Sequence, residues 1–172
     1  MMIRLIESEN PSNHWRFLDV KYKVVMDMGC SFWDSTWNEG WLSSTEYFVE
    51  RGAKKVIGFD EAQHDVDRYH QLYNGDDRYD IFRLKLSDHI TLQRLLNIHK
   101  PQVIKCDIEG AEIHFLHIND LEGVEQIAIE YHNGPTKLMC ETMMPIWGFE
   151  NIELYQLHNN PIESAGVYYA WK

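Results

Sequence analysis

Val103-Ile104-Lys105-Cys106-Asp107-Ile108-Glu109-Gly110-Ala111-Glu112 is the run whose reading decides the fold. Val103 and Ile104 favour a pleated, enclosed environment, so the run opens as a short buried strand. Gly110 permits a turn that a side chain would obstruct, and Ala111-Glu112 then starts a helix. Asp107, Glu109 and Glu112 fall at or just beyond the strand's C-terminal end. In open α/β sheets that edge is where ligands bind. A strand–turn–helix with a merely solvated acidic tip has the same local signature, so the flanking chain must separate the two readings.

Working outward, the same grammar repeats. Upstream, Val24-Val25-Met26-Asp27 is a buried strand that ends in an acid and precedes Gly29. Lys55-Val56-Ile57-Gly58-Phe59-Asp60 is a second of that kind, and Ile81 to Leu86 is a third strand. Downstream, Ile127, Ile129 and Tyr131 alternate along a fifth, which runs out at Glu130-Tyr131-His132-Asn133-Gly134. Helical patterns fill the intervals. Ser43 and Glu46 have the spacing of a capping box, with Gly52 as the C-terminal stop. Ala62, Val66, Tyr69 and Tyr73 recur at helical spacing until Asn74-Gly75. Asp88 caps a helix whose buried face is Leu92, Leu95 and Leu96 and which Pro101 ends. Pro135 suits the first turn of a helix through Leu138 and Met143, near whose end stands Pro145. Ile152 to Leu157 and Val167 to Trp171 alternate with period two, and nine residues between them are too few for a crossover helix. They are expected to pair antiparallel.

Strands alternating with helices indicate a three-layer α/β sandwich, with the first five strands parallel through right-handed crossovers. The 172 residues suit one domain with a real core, taken here as 1–172. Residues 1–22 are read as a peripheral N-terminal segment, and 30–44 as a Trp-rich loop in which Trp33, Trp37 and Trp41 recur every four residues. The net charge of −11 argues against a nucleic-acid or anionic-membrane surface, which needs clustered Lys and Arg. No apolar run approaches the roughly 20 residues of a membrane span. Met1-Met2-Ile3-Arg4 opens no apolar leader, and Cys30, Cys106 and Cys140 are an odd set without a close pair. The expected location is the cytoplasm, with neither a disulfide framework nor a zinc site. Oligomeric state has no signature in the sequence.

Gly29, Asp60, the Lys105–Glu112 run and Ile129-Glu130-Tyr131-His132 together resemble the FkbM-type S-adenosylmethionine-dependent methyltransferases. That family carries an Asp-x-Gly loop, an acid ending the second strand, a K-x-D-x-E-G-x-E run and an I-E-x-H ending the fifth strand. The resemblance covers roughly residues 22 to 150; Gly52-Ala53 and Gly148-Phe149 also match paired positions of the family. It implies a Rossmann-like methyltransferase fold, mostly parallel, with a C-terminal antiparallel hairpin. One departure stands out: the second loop Gly of the family is Trp33 here.

On that resemblance, Asp27, Gly29, Cys30 and Ser31 form the loop for the amino-acid end of S-adenosylmethionine. Asp60, with Glu61 beside it, is placed to accept the ribose hydroxyls, as acids do in dinucleotide folds; capping the next helix would look the same. Ser87 and Asp88 are candidates for the adenine amino group, and equally for a cap. Methyl transfer to a hydroxyl needs alignment and a deprotonated oxygen. Asp107 and His132, on adjacent strand tips, are the candidates for that work, together with Glu109. Asp107, Glu109, Glu130 and His132 alternatively suit a hard divalent cation, although no spacing defines a metal site and none is assigned. Glu112 reads as first-turn charge on a helix dipole. The leading expectation is an O-methyltransferase acting on a small molecule or glycan. The alternative is a non-catalytic methyltransferase-like fold that binds a nucleotide-type ligand or a protein partner, which Trp33 favours. A nicotinamide-dependent oxidoreductase is disfavoured, because G-x-G-x-x-G is missing.

Overall fold

The computed structural model describes residues 3–6, 15–30, 43–159 and 164–172. Ser31 and the Trp33, Trp37, Trp41 series lie outside these residues. The strands are β1 (Ile3–Ile6), β2 (Val24–Met28), β3 (Lys55–Asp60), β4 (Tyr79–Arg83), β5 (Val103–Cys106), β6 (Gln126–Tyr131), β7 (Asn151–Asn159) and β8 (Ser164–Trp171). The helices are α1 (Ser44–Glu50), α2 (Gln63–Leu72), α3 (His89–His99) and α4 (Gly134–Ile146), with a 3-10 helix over Ala111–His117. Among the described residues one sheet holds eight strands, in the order β1-β7-β8-β6-β5-β2-β3-β4. β8 runs antiparallel to both neighbours, and every other pairing is parallel. The expected α/β architecture is therefore present, with its closing hairpin.

Period-two alternation builds the three layers. Along β2 and β5, Met26, Met28, Ile104 and Cys106 enter one core with Leu92, Phe115 and Met139. Val25 and Val103 enter another, against Phe48 and Val49 of α1. A smaller cluster packs Val66 and Tyr69 of α2 on Ile81 and Cys30. Thus α1 and α2 cover one face, and α3, the 3-10 helix and α4 cover the other.

The caps read from the sequence are present. Ser43 and Glu46 form a reciprocal capping box on α1. Asp88 accepts from Thr91 N–H at the start of α3; at the start of α4 the structure adds a cap that was not read from the sequence, Asn133 accepting from Thr136 N–H. Lys100 closes α3 in the left-handed region, directly before Pro101.

Three elements differ from expectation. Ile3–Ile6, within the peripheral segment, adds an edge strand parallel to β7. The third strand ends at Arg83 and not at Leu86, because its only partner among the described residues, β3, stops at Asp60; Leu84 and Leu86 run on beyond it. After the fourth motif strand the expected helix is a 3-10 helix, with Glu112 buried in its first turn.

Candidate active site

Gly29 closes the tip of β2 at φ +77, in the left-handed region that favours glycine. A Cβ there would lie 1.7 Å from the Asp107 carbonyl oxygen, so the loop and the tip of β5 touch backbone to backbone. Gly29 N–H donates to Phe59 O (2.9 Å) and Asp107 N–H to Met28 O (3.0 Å), which joins three strand tips. A cleft of about 420 Å³ opens over them, bordered by Gly29, Phe59, Asp60, Leu86, Asp107 and Ile108.

Asp60 enters the cleft wall half-buried, with Oδ1 accepting from Ala62 N–H at 2.8 Å. Burial raises its carboxyl above the usual range. It does not cap α2, whose N-cap is Ala62, without a side-chain bond. Glu61 also borders the cleft and pairs with Lys85 at 2.6 Å. Ser87 and Asp88 stand outside the cleft lining: Asp88 holds Thr91 N–H (2.7 Å) and receives Ser87 Oγ–H (3.3 Å). These bonds lower the Asp88 carboxyl.

Two residues expected at the cofactor loop, Asp27 and Cys30, are buried and do not line the cleft. Asp27 is fully buried, because it lies on the same face of β2 as Val25, under α1. Its Oδ2 accepts from Ser44 Oγ (2.6 Å) and Thr45 Oγ1 (2.7 Å), and its Oδ1 stands 3.3 Å from Lys105 Nζ. Solvent does not reach it, so the expected water-linked role has no geometry here. Cys30 is likewise buried, and burial pushes its thiol up. Its carbonyl accepts from the Tyr69 hydroxyl at 2.9 Å.

Sequence reasoning did not single out Lys105. Its ammonium donates to Gly29 O at 2.6 Å, tying the glycine loop to β5. Burial works against that charge, but Asp27 and Asp107 beside it outweigh burial and hold its pKa above the usual lysine range. The available signal was a charged residue flanked by Val103, Ile104 and Cys106, all buried. Such a charge needs a partner, and Asp27 is its cross-strand neighbour.

Beside the cleft, β5 and β6 bring four of the singled-out residues together. His132 Nε2 lies 3.8 Å from Asp107 Oδ1, 3.7 Å from Glu109 Oε2 and 3.7 Å from Glu130 Oε1. His132 Nδ1 lies 3.3 Å from Oε1 of Glu112, which is wholly buried. Glu112 also accepts from Ile108 N–H (3.0 Å) and Gly110 N–H (2.8 Å). Those bonds hold Glu109 and Gly110 at positive φ, 52 and 99, and so present Glu109 beside the cleft. Glu112 beside Nδ1, more than burial opposes it, raises His132 to about 9. Burial and then Asp107 raise Glu130 to about 7. Asp107, Glu130 and His132 each offer one ligand atom within 4.8 Å of the others.

No protein-family model and no curated protein matches the sequence; the FkbM likeness stands on the motif residues alone. Solved structures do match. An rRNA methylase from Streptococcus thermophilus is 16% identical at TM-score 0.53, over 92% of this chain and 90% of its own. The ribosomal protein L11 methylase from Lactobacillus delbrueckii subsp. bulgaricus is 16% identical at TM-score 0.54, over 92% and 74%. The chain spans 50% of an S-adenosylmethionine-dependent methyltransferase from Mesorhizobium loti, at 14% identity and TM-score 0.45. Strand order, the reversed β8 and the likeness to the rRNA methylase and the L11 methylase agree on one conclusion: the chain has the Rossmann-like methyltransferase fold.

Proposed function

We propose that this protein is an S-adenosylmethionine-dependent methyltransferase acting on a hydroxyl of a small molecule or glycan. One observation carries the reading: Asp107 borders the cleft with Gly29 and Asp60, and its carboxylate also faces His132 in the cluster next door. A cofactor cleft and an acceptor-handling cluster thus share one residue.

The cleft suits the cofactor. Phe59, Leu84, Leu86 and Ile108 offer apolar wall to an adenine, Asp60 offers a carboxylate to ribose hydroxyls, and the acidic rim suits a sulfonium. When bound, S-adenosylmethionine supplies an electrophilic methyl group. The chain's own residues then have three tasks. Gly29 and Lys105 hold the floor of the cleft in place. Asp60 fixes the ribose. Asp107, Glu109 and His132 align the acceptor hydroxyl, and His132, once deprotonated above its raised pKa of about 9, receives its proton as the oxygen takes the methyl. Asp60, Glu61, Asp65, Asp107 and Glu109 around the cleft would repel a phosphate backbone, which supports a small or glycan acceptor over nucleic acid. The reading treats residues 1–172 as one domain and takes the protein as cytoplasmic. In support, all three cysteines are buried and unpaired. No helix among the described residues is long and apolar enough to cross a membrane.

Calorimetric titration with S-adenosylmethionine, its demethylated product and NAD tests the proposal. The first two bind and NAD does not; no heat from any of them sinks the enzyme reading in favour of a partner-binding fold. Asp60→Ala weakens the cofactor by on the order of 1–3 kcal/mol, the cost of leaving hydroxyls without an acceptor. Unchanged affinity in the folded variant would remove Asp60 from the ribose. His132→Ala lowers turnover by roughly a hundredfold, the lower end for a group that handles a transferring proton. Cofactor affinity should stay nearly constant, and an equal fall in both quantities would place His132 in cofactor binding instead.

A further inference from the structure

The tips of β5 and β6 carry more than a proton relay requires. We propose that Asp107, Glu130 and His132 bind one divalent cation that accepts mixed nitrogen and oxygen donors, of the Mn²⁺ class.

The donors are set by the sheet. Cys106 and Ile129 are register partners in adjacent parallel strands, so Asp107 and Glu130 follow them side by side. Glu130 and His132, two apart, project to the same face. Around an ion with ligands at about 2.1 Å, cis donors stand about 3 Å apart and trans donors about 4.2 Å. The observed 3.8 Å (Nε2 to Asp107 Oδ1) and 3.7 Å (Nε2 to Glu130 Oε1) fall between those limits. Glu109 Oε2, also 3.7 Å from Nε2 and on an exposed side chain, can close a fourth position.

The opposite edge of the imidazole gives a separate indication. Metal-bound histidines donate their second ring N–H to a carboxylate or carbonyl, which fixes the tautomer and aims the other nitrogen at the ion. Here Glu112, fully buried, faces Nδ1 at 3.3 Å, and its own oxygens are anchored by the N–H groups of Ile108 and Gly110. With Glu112 behind Nδ1, Nε2 is the ring nitrogen that faces Asp107 and Glu130, although among the described residues Nδ1 makes no hydrogen bond as the ring stands. An imidazole with two oxygen donors suits Mn²⁺ better than Ca²⁺, which takes oxygen ligands alone. Under the methyltransferase reading, on which this role rests, the open positions would hold the acceptor oxygen and favour its deprotonated form, so that a bound ion, and not the His132 nitrogen it occupies, would activate the hydroxyl. Binding of the ion itself does not depend on that reading.

Chelator-treated protein is titrated with Mn²⁺ in the absence of S-adenosylmethionine, and free Mn²⁺ is read by electron paramagnetic resonance. One Mn²⁺ per chain is expected. Asp107→Asn and Glu130→Gln, both near-isosteric, should each raise its Kd at least about tenfold, in line with what changes even beyond the ligand shell do. Glu122→Gln, at a distant surface, should leave it unchanged; circular dichroism checks that each variant is folded. Failure to bind Mn²⁺, or binding that Asp107→Asn and Glu130→Gln weaken no more than Glu122→Gln does, overturns the site and leaves His132 as an ion-pair hub. Calorimetry with S-adenosylmethionine on the same samples keeps the two proposals apart: Mn²⁺ bound without cofactor binding would defeat the methyltransferase reading alone.

Discussion

Gly29→Ala should unfold or severely weaken the protein, at a cost on the order of 4 kcal/mol in urea denaturation. Two effects add. The backbone sits at φ +77, where a side chain is strained, and the new Cβ would fall 1.7 Å from the Asp107 carbonyl oxygen. Neither partner is a flexible side chain that can step aside. The loop is also pinned by hydrogen bonds to Phe59 and through Met28 to Asp107, so relief requires separating the tips of β2 and β5. Any folded fraction should lose cofactor affinity, because that separation deforms the cleft floor. Gly75→Ala is the control: Gly75 has φ +86 and nothing within 4 Å of its Cβ position. It should cost only about 1–2 kcal/mol of backbone strain. Equal costs for the two variants would show that the close approach at Gly29 carries no energy.

Lys105→Met should cost about 3–5 kcal/mol, the usual range when one partner of a buried pair is removed. Asp27 would keep only the hydroxyls of Ser44 and Thr45 as partners in a site without solvent. The bond to Gly29 O would go too, loosening the glycine loop. Asp27→Asn/Lys105→Met should recover part of the loss, because no buried charge is then stranded. A double-mutant cycle measures this: additive losses would mean that the pair at 3.3 Å is not energetically coupled.

The outline of the site was legible because strand ends are legible. Acids at the ends of apolar runs placed Asp60 and Asp107 at one sheet edge, and both border the cleft. Adjacent strand order brought Asp107 and His132 near one another, and the structure sets them 3.8 Å apart. Asp27 was misread for a reason that pattern alone cannot supply. It too ends an apolar run, but it lies within β2 on the face that α1 covers, and Ser44 and Thr45 enclose it. Glu112 does stand in the first turn of its helix, as read, but the pattern gave no sign of its burial, which follows from the tight turn that draws it onto Ile108 and Gly110 N–H.

By itself the sequence determined the order of strands and helices from β2 onward, the caps at Ser43 and Asp88, and the antiparallel close of the sheet. These follow from interactions within a few residues: alternation, cap hydrogen bonds, and connections too short for a crossover. Only the tertiary structure decided which acids border the cleft and which serve the core. That choice depends on what packs over each strand face. Asp27 and Asp107 each follow a short apolar run and differ by the presence of α1 above one and the open cleft beside the other. It also placed Ile3–Ile6 at the sheet edge, since a short strand acquires its pairing only when a distant one, β7, lies beside it.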